Sequence, residues 1–306
     1  MNKRQLGRSD LFVSEIGLGC MNIGTNASEA QRTIETALDN GINYLDTADL
    51  YDQGVNEEII GEVIKGKRQD LIIATKAGNK FEKGKQGWSW DPSKKHIQQA
   101  VKDSLRRLQT DYIDLYQLHG GTIEDNIDET IEAFEELKTE GVIRHYGISS
   151  IRPNVIREYV KRSSIVSVMM QYSLLDRRPE EVFPLLAENQ ISVVARGPVA
   201  KGILTNRPLS DMSETIQQKG YLNYNYDELV SLRHSLNKKF GEKPLQSVAL
   251  HYCLASPVVA SVVAGASRPD QVQENVGAIQ THNQLTVEEF NWLQQHTKAD
   301  VYDSHR

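Results

Sequence analysis

Four side chains in this sequence could together move a proton. Asp46 and Tyr51 stand in the stretch LDTADLYDQG, Lys76 closes LIIATK, and His119 closes YIDLYQLH. A tyrosine holds its proton at neutral pH but gives it up poorly. An ammonium within reach stabilises the phenolate, and a carboxylate beside the lysine keeps that ammonium charged. A histidine opposite the tyrosine can help hold a carbonyl oxygen between two donors. Such a set suits adding a proton to oxygen while a second reactant adds to the attached carbon. The motifs offer no nucleophile and no metal cage, which points to hydride from a nicotinamide as that reactant. Taken singly, each residue has an ordinary structural reading: a capped turn, a solvated strand-end lysine, a packed histidine.

The elements that carry these residues make them a set. Short apolar, β-rich runs recur at 15–19, 42–45, 71–75, 113–118, 142–148, 166–170, 191–195 and 259–264. Between them lie amphipathic stretches such as SEAQRTIETALDNG, NEEIIGEVIKG, KHIQQAVKDSLRRLQ and NIDETIEAFEELKTEG. The first opens on Ser28 as its cap and closes on Gly41, and the last closes on Gly141. Eight strand–helix alternations predict an α/β fold of the (β/α)8 TIM-barrel type, one domain over 1–306. A doubly wound dinucleotide domain would carry GxGxxG after its first strand, and GLGCMN at 17–22 lacks that spacing. Ahead of the first strand, KRQLGRSDLFVS predicts a β-hairpin turning at 7–10 against the barrel floor.

In a closed barrel the second, third and fourth strands are neighbours. Asp46 with Tyr51, Lys76 and His119 then converge on one carboxyl-terminal mouth, where barrel active sites lie. Two insertions, 77–93 and 205–229, emerge on that face as long loops. Trp88 and Trp90 in the first, with Leu50, are expected to line a substrate pocket, joined by Tyr221, Tyr224 and Tyr226 from the second. The tail after Glu288 is expected to contribute to specificity.

Bulk properties narrow the partners. A formal charge of -6 without a basic block argues against a general polyanion binder. No apolar run approaches the roughly 20 residues that span a bilayer, and MNKRQLGRSD holds no signal-like segment. Cys20 and Cys253 provide neither a disulfide framework nor metal-ligand spacing. The expectation is a cytoplasmic, monomeric protein acting on a small molecule, with no nucleic-acid, membrane or metal partner.

Over nearly its full length the chain resembles the aldo-keto reductase family, nearest its short-loop aldehyde reductases and channel β-subunits. The matching segments are GLGCMNIG, LDTADLY, IATK, SLRRLQTDYIDLYQLH, IRHYGISS, MQYSLLDR and GASRPDQVQENV. The resemblance implies reduction of an aldehyde or ketone carbonyl with NADPH, held without a dinucleotide-binding domain. It makes Tyr51 the general acid, tuned by Lys76 and Asp46, with His119 orienting the carbonyl. It places Ser149, Ser150 and Gln171 on the nicotinamide carboxamide, and lines the cofactor groove with Gly19, Cys20, Met21 and Asp46. The loop Gly197, Pro198, Val199, Ala200, Lys201 and Gly202 would pass over the pyrophosphate. Gly265, Ser267, Arg268 and Gln271 would meet the 2′-phosphate of NADP+, with Glu274 and Asn275 reading adenine.

Two positions depart from the family pattern. Ser150 stands where an asparagine is common. Arg196 stands where an aromatic ring usually stacks on the nicotinamide, and a cation there is expected to weaken retention of NADP+. Two other readings stay open: a Schiff-base enzyme using Lys76, and a channel-subunit-like module whose redox work is slow.

Overall fold

The eight apolar runs fold into a closed ring of parallel strands. The computed structural model describes residues 1–241 and 243–306. A short hairpin, β1 (Lys3–Gln5) and β2 (Phe12–Ser14), precedes the barrel strands β3 (Ile16–Gly19), β4 (Tyr44–Asp46) and β5 (Ile72–Ala77). A second hairpin, β6 (Asn79–Lys80) with β7 (Ser89–Trp90), interrupts them. The barrel resumes with β8 (Ile113–Leu118), β9 (Ile143–Ser149), β10 (Ser167–Gln171), β11 (Ser192–Arg196) and β12 (Val259–Gly265), which returns to pair with β3. β5 and β8 are buried along their whole length, as strands covered by helices outside and side chains inside must be. β4 ends one residue later than the sequence suggests and β5 two, so Asp46 and Lys76 are strand residues held by ladder bonds.

Helices α1 (Ala27–Asp39), α2 (Val55–Val63), α3 (Lys94–Leu108), α4 (Ile127–Thr139) and α5 (Pro153–Arg162) cover the first half of the ring. The rest are α6 (Phe183–Glu188), α7 (Glu214–Lys219), α8 (Tyr226–Phe240), α9 (Leu245–Ala255), α10 (Pro269–Gln280) and α11 (Val287–His296). Asn26, rather than Ser28, caps α1: its Oδ1 accepts the backbone N–H groups of Ser28 and Glu29 at 3.2 and 3.4 Å. The helix starts one residue before Ser28, so the serine lies inside its first turn.

The hairpin plugs the floor as expected. Leu6, Leu11 and Val13 are buried with Tyr44, Ile72, Leu115, Val166, Val194 and Ala260 in a core separate from the layer between strands and helices. Outside the ring, α2 presses closely on the end of α3. A methyl group on Gly61 would meet the Arg107 carbonyl oxygen and lie 2.8 Å from the Leu108 carbonyl carbon, and both are backbone atoms that cannot step aside. Gly61→Ala therefore destabilises the fold by about 1–3 kcal/mol, read as a lower urea midpoint, even though alanine favours helices.

Neither insertion is irregular throughout. The segment 77–93 holds the β6–β7 hairpin, and 205–229 holds α7, a bridge between Tyr221 and Tyr224, and the start of α8.

Candidate active site

Parallel pairing brings the four side chains together. Asp46 lies beside Ala74, and Lys76 beside Gln117, in the ladders of β4, β5 and β8. The His119 N–H continues the ladder onto the Ala77 carbonyl at 2.8 Å. Tyr51 arrives on the turn Tyr51–Gly54, whose Asp52 and Gln53 adopt left-handed backbone angles that swing the chain sharply toward α2.

Lys76, only 1% exposed, is the hub. Its Nζ donates to Asp46 Oδ1 at 2.6 Å, to the Thr47 carbonyl at 2.7 Å and to Tyr51 Oη at 3.5 Å. Gln117 Nε2 donates to the other carboxylate oxygen at 3.3 Å. The His119 ring meets the Tyr51 ring edge-on, with centroids 5.9 Å apart and planes at 83°. A buried polar chain braces the hub from behind: Thr47 Oγ1 donates to Asn56 at 2.6 Å, and Asn56 Nδ2 to the Cys20 carbonyl at 2.7 Å.

Burial opposes charge throughout the site, and the partners decide what survives. Burial works to neutralise Lys76, but Asp46 and then Tyr51 outweigh it and push the ammonium above its ordinary range. The Asp46 carboxyl is also pushed up, by burial, against the pull of Lys76 and Gln117. The 2.6 Å contact and the second donor on the carboxylate favour the ionised pair. Tyr51 differs from the simple expectation. Burial lifts its phenol above the ordinary value, and the neighbouring ammonium only partly offsets this. His119 falls to about 3 through burial, reinforced by the charges of Lys76 and Arg196, so the imidazole is neutral across the physiological range. Its Nδ1 is buried without a partner among the described residues.

A cavity of about 570 Å³ opens beside His119. Trp88, Trp90, Ser149, Ser150, Met169 and Arg196 form part of its wall, and the tail residues Tyr302 to His305 close one side. Trp90 is fixed there by donating Nε1 to Asp125 at 2.9 Å. Its ring lies where side chains at Gly78 or Gly120 would stand, at 2.8 and 3.2 Å from their added methyl groups.

Other expected wall residues lie elsewhere. Leu50 is half-buried at the start of the Tyr51 turn and is not in this wall. Tyr221 and Tyr224 are turned inward, accepting bonds from Gln171 Nε2 at 3.3 Å and from the Lys298 N–H at 2.6 Å. Tyr226 begins α8 away from the cavity. These aromatics anchor the insertion instead, Tyr221 and Tyr224 being buried in the main core and Tyr226 packed against it.

The groups expected to hold a cofactor lie on the adjoining rim. Gln171 is at the end of β10 beside Arg196, whose Nη1 donates to the glutamine oxygen at 3.3 Å, while the glutamine amide holds Asp176 at 2.8 Å. Ser150 Oγ accepts the Arg152 N–H at 3.2 Å. Gly19 pairs with Gly265 across β3 and β12, followed by buried Cys20 and exposed Met21. In the loop after β11, Gly197, Ala200, Lys201 and Gly202 all have positive φ, with Pro198 and Val199 between them. At the start of α10, Ser267 bonds Gln271 and Arg268 grips Asp270 at 2.9 and 3.1 Å. Glu274 is exposed on that helix, and Asn275 accepts a bond from Gln246 at 2.5 Å.

Several participants escaped the sequence reading. Gln117 is two residues before His119, so strand alternation puts both on one face, a signal that was available. Met169 and Arg178 reach the cavity only through the closed topology, whereas Tyr302 belongs to the tail expected there.

Known proteins resemble this chain in sequence and in fold. The sequence pattern described as "Aldo/keto reductase family" matches residues 15–298. A Bacillus subtilis protein described as the uncharacterized oxidoreductase YqkF is 61% identical, with 100% of both chains covered. The NADH-specific methylglyoxal reductase of Escherichia coli is 30% identical, over 91% of this chain and 94% of its own. The holo form of aldo-keto reductase AKR11C1 from Bacillus halodurans superposes with a TM-score of 0.95 at 64% identity, covering 100% of this chain and 99% of that one. The chain, with its closed barrel and its four converging side chains, belongs to the aldo/keto reductase family.

Proposed function

We propose that the protein is an NADPH-dependent reductase that converts aldehydes, and with them some ketones, to alcohols. One observation carries this reading: the buried Lys76 ammonium lies between the Asp46 carboxylate and the Tyr51 hydroxyl, at 2.6 and 3.5 Å. In this reading the substrate oxygen sits between Tyr51 and His119. Tyr51 gives the proton, Lys76 stabilises the phenolate left behind, and Asp46 keeps Lys76 charged. Neutral His119 supplies a hydrogen bond, which leaves proton transfer to Tyr51. Bound nicotinamide would supply the hydride to the carbonyl carbon.

The donors on the rim fit such a cofactor. Ser149, Ser150 and the Gln171 oxygen suit the carboxamide, and Arg196 presents a plane to the ring. The positive-φ loop at 197–202 lets backbone approach a pyrophosphate closely. Ser267, Arg268 and Gln271 at the head of α10 suit a 2′-phosphate, with Glu274 and Asn275 beside the adenine. Asp270 already grips Arg268 and would have to share it, which tempers the preference for NADPH over NADH. Arg268→Gln should therefore weaken NADPH about tenfold and leave NADH nearly unchanged, read by competitive titration. NADP+ should bind less tightly than NADPH, because Arg196 is a cation beside an oxidised ring.

The Schiff-base reading requires a neutral lysine, and Asp46 at 2.6 Å works against that. Borohydride trapping of a carbonyl on Lys76 would favour it. We further place the protein in the cytoplasm as a monomer without nucleic-acid or membrane partners. No helix among the described residues is long and apolar enough to cross a membrane. The deciding experiment is a panel of aldehydes and ketones followed by loss of NADPH absorbance and repeated with NADH. Turnover of aldehydes with NADPH supports the reading, and no turnover with either cofactor refutes it.

A further inference from the structure

The cavity carries more positive charge than carbonyl reduction requires. Arg152, Arg178 and Arg196 line it, against one carboxylate, Asp303. Two of these arginines are already occupied. Arg178 is bound through both arms to Asp176, at 2.7 and 2.8 Å, and covers the Tyr302 ring at 5.0 Å. Arg196 holds Gln171 on the side assigned above to the nicotinamide.

Arg152 is different. Among the described residues its side chain makes one hydrogen bond, from Nη1 to the Gly121 carbonyl at 2.5 Å, and has no carboxylate partner. A guanidinium has five N–H donors in a planar fork, so most of this one is uncommitted. The bond to Gly121 fixes it beside the segment that follows His119, and both residues line the same cavity of about 570 Å³. In a cavity of that size a single ring or a short chain is enough to bridge a carbonyl held at His119 and this guanidinium. Trp88, Trp90 and Ile151 supply apolar wall for the part between.

We propose that Arg152 recognises an anionic group on the substrate, and that the preferred substrates are aldehydes bearing a carboxylate about one ring away from the carbonyl. The proposal rests on the carbonyl-reductase reading above. The carboxylate takes no part in the chemistry. It pairs with the planar guanidinium, as carboxylates do through two parallel hydrogen bonds, and so orients the aldehyde toward His119 and Tyr51.

A matched pair tests this: 4-carboxybenzaldehyde and its methyl ester share ring, aldehyde and shape and differ in charge. The expected kcat/KM ratio favours the carboxylate by about tenfold or more, chiefly through KM, and shrinks as salt is raised. Arg152→Gln brings the ratio near one, while Arg152→Lys keeps part of it. Calorimetric titration of the NADPH complex with 4-(hydroxymethyl)benzoate, which cannot be reduced, should show binding that is lost in Arg152→Gln.

A wild-type ratio at or below one overturns the proposal without any variant, and so does a ratio that survives in folded Arg152→Gln. Turnover of neither aldehyde with NADPH or NADH overturns this proposal, and the reductase reading falls with it only if the wider panel above is also not turned over. Turnover of the ester alone removes only the proposal.

Discussion

Replacing Tyr51 with Phe lowers aldehyde turnover by roughly 10²- to 10⁴-fold, the range for loss of a positioned general acid, while NADPH affinity changes little. The substitution deletes one oxygen. The ring keeps its edge-on contact with His119, and the Asp46–Lys76 pair keeps its 2.6 Å bond. His119 cannot take over, because with a pKa of about 3 it holds no transferable imidazolium proton at neutral pH. Steady-state rates and a fluorescence titration with NADPH separate the two effects. A variant that keeps the wild-type rate would show that the proton comes from elsewhere.

Lys76→Met has the second large effect, and it falls on stability as well as turnover. Removing the ammonium leaves the Asp46 carboxylate buried with only the 3.3 Å bond from Gln117, and leaves the Thr47 carbonyl without its donor. Breaking one side of a buried pair costs about 3–5 kcal/mol. The pH sign follows from the carboxyl: burial already pushes it up, and losing Lys76 raises it further. An acid whose folded pKa is raised destabilises the fold above that pKa, so urea midpoints of this variant should recover as pH falls. Adding Asp46→Asn should restore much of the stability at neutral pH and none of the turnover. Equal stability of the single and double variants would show that the pair is not coupled as described.

The barrel could be read from the sequence because parallel strands buried on both faces leave apolar runs, and the stretches between them were amphipathic. The convergence of these side chains could be read because Asp46, Lys76 and His119 each end such a run, and strand order makes the runs neighbours. What failed has physical causes. Two-residue strands such as Ser89–Trp90 are held by backbone pairing and show no periodicity. Tyr221 and Tyr224 looked like pocket residues because aromatics in a loop either serve a ligand or anchor the loop on the core, and composition cannot separate the two. Tyr51 was expected to be a stronger acid than usual from its neighbour alone, since burial cannot be seen before the fold. The tail was expected at the pocket, but its Tyr302 meets Arg178 across more than a hundred residues, and nothing local announces that contact.

The most direct test of the central claim is the pH dependence of kcat/KM for aldehyde reduction at saturating NADPH. If Tyr51 is the acid and His119 a neutral partner, the profile is flat through the neutral range. It falls only at alkaline pH, where Tyr51 loses its proton. A fall centred near 6.5, histidine's ordinary value, would mean that an imidazolium supplies the proton, and would contradict the account.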